Sequence, residues 1–150
     1  MADAPPPASR LVSQGVRYTV VAVGRIRPPF ADDVDHYLTM LSGHARVDVV
    51  EVRDDDQVER RIPERSHRVL LDIGGRAYAS EAFARWLEGR RMAGRDVCFV
   101  IGGPAGIELA RCDERLSFGP LTLPHQLARV VLLEQLYRAH KILAGEPYHL

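Results

Sequence analysis

Three short stretches of the chain are apolar almost without interruption. Val16 to Val23 (VRYTVVAV) is β-branched, apolar towards its end and closed by Gly24, and Val69 to Ile73 (VLLDI) and Val97 to Ile101 (VCFVI) share that character. Runs of this length predict strands covered on both faces. Val47 to Val52 (VDVVEV) alternates instead, which predicts a strand in a more exposed position. Between the strands the apolar spacing changes to three and four. Ala31 to Ser42 carries Val34, Tyr37, Leu38 and Leu41, an amphipathic helix ended by Gly43. Ser80 is placed to cap a helix running to about Met92, with Phe83, Trp86 and Leu87 as its inner face and Gly94 as its stop.

From His125 to about Leu143 the apolar residues form a wide stripe, and Pro124 suits the first turn because its missing N–H has no helical partner there anyway. A helix so apolar packs against a sheet, a partner subunit, or both. The remaining segments are polar. Arg53 to Arg68 holds Asp54-Asp55-Asp56, then Glu59-Arg60-Arg61 and Pro63, a solvated connection with room for one helical turn. A turn is expected at Gly74-Gly75 and a short helix from Ile107 to Arg111, with a polar stretch to Ser117. Met1 to Gly15, rich in Pro, Ala and Ser, reads as a disordered leader, which leaves residues 16–150 as one domain. Strands alternating with helices predict an α/β fold with a mainly parallel sheet.

Composition narrows the setting. Cys98 and Cys112 show neither CxxC spacing nor a neighbouring His, so neither a disulfide framework nor a metal site is expected. No apolar run reaches the roughly 18 residues of a membrane span, and the N-terminus lacks a signal-peptide pattern. A cytoplasmic setting is the expectation. Twenty basic and 20 acidic residues cancel, so no global field draws in a polyanion; this balance by itself favours a small-molecule enzyme or a protein partner. Nineteen of the 20 basic residues are Arg, a count that suits phosphate binding but that codon bias explains more simply.

In open α/β sheets ligands sit beyond the carboxyl ends of strands. Gly24, Gly74-Gly75 and Gly102-Gly103-x-x-Gly106 occupy that position. Gly24 and Gly75 read as tight turns. Gly102-Gly103 fits both a tight turn and a loop that cradles a ligand, and it lacks the Walker lysine and the full GxGxxG spacing. His125 stands at a helix start, which favours the neutral, proton-accepting imidazole; it is either a proton acceptor or a packing residue. His140 reads as a surface or interface residue, and Asp72 as a ligand-orienting or turn-capping group. No GxSxG, HExxH or paired-carboxylate arrangement supports a hydrolase.

Several motifs resemble one family. Val100-Ile101-Gly102-Gly103-Pro104-Ala105-Gly106, then Leu121-Thr122-Leu123-Pro124-His125-Gln126-Leu127-Ala128-Arg129, Leu133-Glu134-Gln135-Leu136-Tyr137-Arg138-Ala139 and Gly145-Glu146-Pro147-Tyr148-His149 occur in the order found in the RlmH family. Val21 to Gly24 and Leu70 to Gly75 also match. The family consists of SPOUT-class methyltransferases that act on 23S ribosomal RNA.

The resemblance implies a homodimer whose C-terminal segment forms a trefoil knot, a rare exception to the rule that chains do not thread. It implies an S-adenosylmethionine site at Leu71, Gly102 and Phe118, Gly119, Pro120, Leu121, Thr122 and Leu123, and methylation of N3 of a pseudouridine in 23S rRNA. His125 is then the base or its positioner, Tyr148 and His149 shape the pocket, and Arg129 or Arg138 holds phosphate. The alternatives are a SPOUT methyltransferase with another RNA target and a ribosome-associated or RNA-binding protein without turnover. Arg53 to Arg68 is shorter and more acidic than the matching segment of the family, and Leu150 stands where a basic residue is common. Both departures, with zero net charge, predict weak binding to free RNA and a requirement for the assembled particle.

Overall fold

The computed structural model describes residues 15–148; the expected leader, except Gly15, and His149 and Leu150 lie outside the described residues. In chain order the elements are β1 (Arg17–Val23), α1 (Phe30–Leu41), β2 (Arg46–Val52), a 3-10 turn (Asp55–Gln57), α2 (Val58–Arg61), β3 (His67–Ala77), α3 (Ser80–Ala93), β4 (Val97–Ile101), β5 (Glu114–Ser117) and α4 (His125–Leu143). The sheet order is β2-β1-β4-β3-β5, and every pairing is parallel. The most uniformly apolar run, β4, is central and buried at every residue. The alternating run, β2, is an edge strand.

Strand alternation sends side chains to two cores. Tyr18, Val20, Ala22, Phe99 and Ile101 meet Val34 and Leu41 of α1, Phe83 and Leu87 of α3, and Leu132, Leu133 and Leu136 of α4. On the opposite face Val21, Val52, Leu70, Cys98 and Val100 are covered by Val58 and Ile62 of the short α2 segment. The three long helices therefore share one face, and the connection from β2 to β3 covers the other.

Five local expectations are corrected. Gly74-Gly75 is not a turn, because β3 continues to Ala77 with a register shift between Leu71 and Arg76. Gly75 is needed for closeness: a Cβ there would stand 2.6 Å from the carbonyl carbon of Arg115 in β5. Glu114 to Ser117 is a fifth strand rather than a polar stretch. Its two charged residues and four-residue length hide the strand pattern. Ile107 to Arg111 forms no helix; Glu59 holds its backbone through the Ala110 N–H at 2.8 Å, while Ile107 and Leu109 pack on the second core. Ser80 does not cap α3, since Ala79 is the N-cap and the Ser80 hydroxyl donates to Gln135 at 2.9 Å. Pro124 is the N-cap of α4 rather than its first helical residue, and its carbonyl accepts the Ala128 N–H at 2.9 Å.

Candidate active site

Beyond the carboxyl ends of β4 and β5, and beside the register shift of β3, the chain encloses a cleft of about 340 Å³. Its floor is Leu71, Ile101 and Leu116. One wall is the loop Gly102 to Ile107, the other is Ser117 to Gly119 with Leu121, Thr122 and Leu123, and His125 and Ala128 close it at the start of α4. The two places singled out by sequence, Gly102 and His125, thus belong to one cavity. Of the cofactor positions implied by the family motif, all but Pro120 line it. Of the implied catalytic positions, His125 lines it, Arg129 and Tyr148 do not, and His149 is not among the described residues.

The Gly102 loop folds back on itself. A Cβ on Gly102 would come within 2.8 Å of Ile107 Cγ2, so glycine lets Ile107 roof the strand end. At the cleft mouth Ile73 is 55% exposed and Leu121 79%, two large apolar side chains bordering one opening.

His125 is set by neighbours that pattern reading did not single out. Gly24, at φ +98°, passes so close that a Cβ there would lie 3.8 Å from His125 Nε2. The loop after Gly24 is then fastened to α4 and β2. The Gln126 side chain accepts the Arg27 N–H and donates to the Arg25 carbonyl, both at 3.0 Å. Arg129, one turn beyond His125 and 1% exposed, donates to the Gly24 carbonyl at 3.0 Å and pairs with Glu51. Glu51 also accepts the Ile26 N–H at 2.7 Å. Burial pushes the Glu51 carboxyl up, but the Ile26 N–H and the Arg129 guanidinium more than offset it, leaving the group below its ordinary value. Among the described residues the His125 ring has no hydrogen-bond partner, which leaves both nitrogens available.

Two expected phosphate ligands are corrected by this geometry. Arg129 is buried and spent on Glu51 and Gly24. Arg138 pairs with Glu134 at 2.8 Å and lies 4.2 Å above the Tyr148 ring. Tyr148 packs edge-on against Tyr137, ring centroids 5.3 Å apart. Tyr137 is 12 residues along α4 from His125, a rise of about 18 Å, so Tyr148 stands away from the cleft of its own chain. Asp72 lines the cleft; Arg115 donates to it at 2.8 Å and holds its carboxyl below the usual range, with a weaker contact from the Gly74 N–H. His140, expected at the surface or an interface, is buried within the chain. Both cysteines are free, and no cluster of three His, Cys, Asp or Glu able to hold a metal occurs among the described residues. None of their helices is long and apolar enough to cross a membrane.

A parallel α/β sheet, with a cleft built from the loop after its central strand and the segment leading into the last helix, is the architecture of a SPOUT-type methyltransferase. A family model described as "Predicted SPOUT methyltransferase" matches residues 16–149, and the chain belongs to that family, whose fold carries a knotted C-terminal segment. Among its relatives, the protein of Rubrobacter xylanophilus called ribosomal RNA large subunit methyltransferase H is 49% identical over 154 residues, spanning 89% of this chain and 98% of its own. Proteins of the same name from Gluconacetobacter diazotrophicus and Carboxydothermus hydrogenoformans are 43% and 38% identical, each spanning 87% of this chain, and 95% and 98% of their own lengths.

Proposed function

We propose that this chain is an S-adenosylmethionine-dependent methyltransferase acting on N3 of a pseudouridine in 23S rRNA, as a homodimer, on assembled ribosomes in the cytoplasm. The observation that carries the reading is the convergence of Leu71, Gly102, Phe118, Gly119, Leu121, Thr122 and Leu123 on one cleft with His125 at its edge. The name shared by the relatives supports the rRNA target. The cleft suits the cofactor on its own terms. Its volume is within the roughly 300–1,000 Å³ of small-molecule sites, Leu71, Leu121 and Leu123 offer apolar walls for an adenine, and the backbone beside Gly102 and Phe118 offers polar groups for its edge and ribose. Pro120 is kept in the set as the residue that shapes the wall between Gly119 and Leu121.

When bound, S-adenosylmethionine supplies an electrophilic methyl group whose departure leaves a neutral thioether. The protein's share is to align the acceptor and remove its proton. His125 accepts the N3 proton of the imide, for which its unpartnered ring is suited. Arg129 acts at one remove: by binding Glu51 and the Gly24 carbonyl it fixes the loop that backs His125. Tyr148 and His149 are assigned to the cleft of a second copy, because the Tyr148 ring lies about 18 Å along α4 from the cleft of its own chain.

The test uses ribosomes from a strain lacking this methyl group, incubated with the purified protein and S-adenosylmethionine, followed by mass spectrometry of rRNA nucleosides. One pseudouridine is expected to gain one methyl group at N3. Cofactor binding without that gain overturns the target, and no binding of millimolar cofactor by calorimetry overturns the methyltransferase reading in favour of a binding protein.

A further inference from the structure

We infer that the loop after β1 is the surface that receives the RNA backbone, with Arg25 and Arg27 as its phosphate ligands; this rests on the RNA substrate proposed above. Arg129 and Arg138 are consumed by internal ion pairs, as are Arg68, Arg111 and Arg115, bound to Glu59, Asp113 and Asp72. Arg25 and Arg27 differ. Both are exposed, and neither guanidinium has a hydrogen-bond or ion-pair partner among the described residues.

Their backbone, in contrast, is held at every step: Ile26 by Glu51, and Arg25 and Arg27 by the two ends of the Gln126 amide. Gln126 is the neighbour of His125, so the two arginines spring from a fixed platform beside the proposed base. A fixed backbone bearing two free, fork-shaped cations suits bidentate contact with phosphate and lowers the ordering cost of binding.

The charge around the cleft gives the direction of approach. On the opposite face of the sheet a shallow depression shares Leu71, Asp72 and Ala105 to Ile107 with the cleft, and it is lined by Asp55, Asp56, Glu59 and Glu108 against the single Arg115. A phosphate chain is repelled there and attracted at Arg25 and Arg27. Zero net charge is thereby compatible with an RNA substrate: attraction is confined to one rim of the site.

The test compares the Arg25→Ala/Arg27→Ala protein with an Arg17→Ala/Arg46→Ala control. Arg17 and Arg46 pair in register at the far end of β1 and β2, are exposed, and remove the same charge. Binding to large ribosomal subunits is measured by sedimentation across a salt series, and S-adenosylmethionine binding by calorimetry. The loop pair is expected to weaken subunit binding at least tenfold and to lower the slope of log affinity against log salt by about 2, one per lost phosphate contact. Cofactor affinity stays unchanged, and Lys at both positions restores most of the binding. Unchanged subunit binding, an equal loss in the control pair, or a loss of cofactor affinity each overturns the assignment while leaving the methyltransferase reading in place. Failure of the unaltered protein to bind subunits at all overturns the RNA reading and the surface together.

Discussion

Arg129 of α4 and Glu51 of β2 form a tie across 78 residues of sequence, with the cation fully buried and the carboxylate side chain 36% exposed. The asymmetry of burial sets the asymmetry of the mutational response. Glu51→Ala leaves a buried guanidinium without its counter-charge, which costs about 3–5 kcal/mol. Arg129→Met removes the buried charge and leaves Glu51 with the Ile26 N–H and water, so its cost is about 1–2 kcal/mol. Urea unfolding of the two variants checks the order, and a larger loss for Arg129→Met contradicts it.

His125→Ala is expected to lower single-turnover methylation of ribosomal subunits by about 10²–10⁴, the range for loss of a general base. Cofactor affinity and thermal midpoint should remain near those of the unaltered protein, because the ring makes no hydrogen bond among the described residues. An undiminished single-turnover rate removes His125 from the chemistry.

Two glycines are expected to respond differently to an added methyl group. In Gly75→Ala the new carbon meets the Arg115 and Leu116 backbone at 2.6 to 2.8 Å, which forces β5 away from β3 and costs about 2–3 kcal/mol. In Gly102→Ala the nearest atom is Ile107 Cγ2, a side-chain methyl that can move. Ile107 lines the cleft, so its displacement is expected to lower cofactor affinity about tenfold with less than about 1 kcal/mol of stability lost. Paired calorimetry and denaturation measurements separate the two effects.

Acid should unfold the protein partly through His140. Burial, then Arg91 and His44, pushes its pKa down from 6.5 to about 4, so the folded state keeps the ring neutral where the unfolded chain protonates it. The stability from the neutral ring is complete above pH 6.5 and is lost as the pH falls towards 4. The loss between about pH 7 and about pH 5 is on the order of 2 kcal/mol. Denaturation of His140→Phe over that interval should show a correspondingly shallower pH dependence. An identical slope in both proteins assigns the acid response elsewhere.

Short free RNA is expected to bind weakly, since a chain with no net charge that offers few phosphate contacts at once leaves little counterion release to drive association. Tight binding of a short oligonucleotide, falling steeply with salt, contradicts this.

The sequence reveals most where the physics is local. The uninterrupted runs at Val16, Val69 and Val97 are the three inner strands, and the alternation at Val47 marks an edge. Gly102 and His125 are visible because one follows a strand and the other starts a helix, and the residues proposed to hold the cofactor are visible only through a family pattern. What stays hidden is non-local. The strand Glu114–Ser117 exists only because β3 lies beside it, pairing through Val69 to Leu71 and, after a register shift, through Arg76 and Ala77. Arg129 looks like a phosphate ligand until Glu51 is brought beside it. The single tone of Tyr148 in the sequence gives no hint that its ring turns towards Tyr137 and Arg138.

The bonds that fasten the β1 loop to the first turn of the last helix span 99, 101 and 105 residues. During synthesis the loop and Glu51 can meet each other early, but Gln126 and Arg129 arrive last, and the cleft cannot close until about α4 has been translated. Loop-closure entropy rises only slowly with such lengths, but closure has to wait for the distant partner to exist. A growing chain thus carries no finished site while it is still tethered to the machine that makes it.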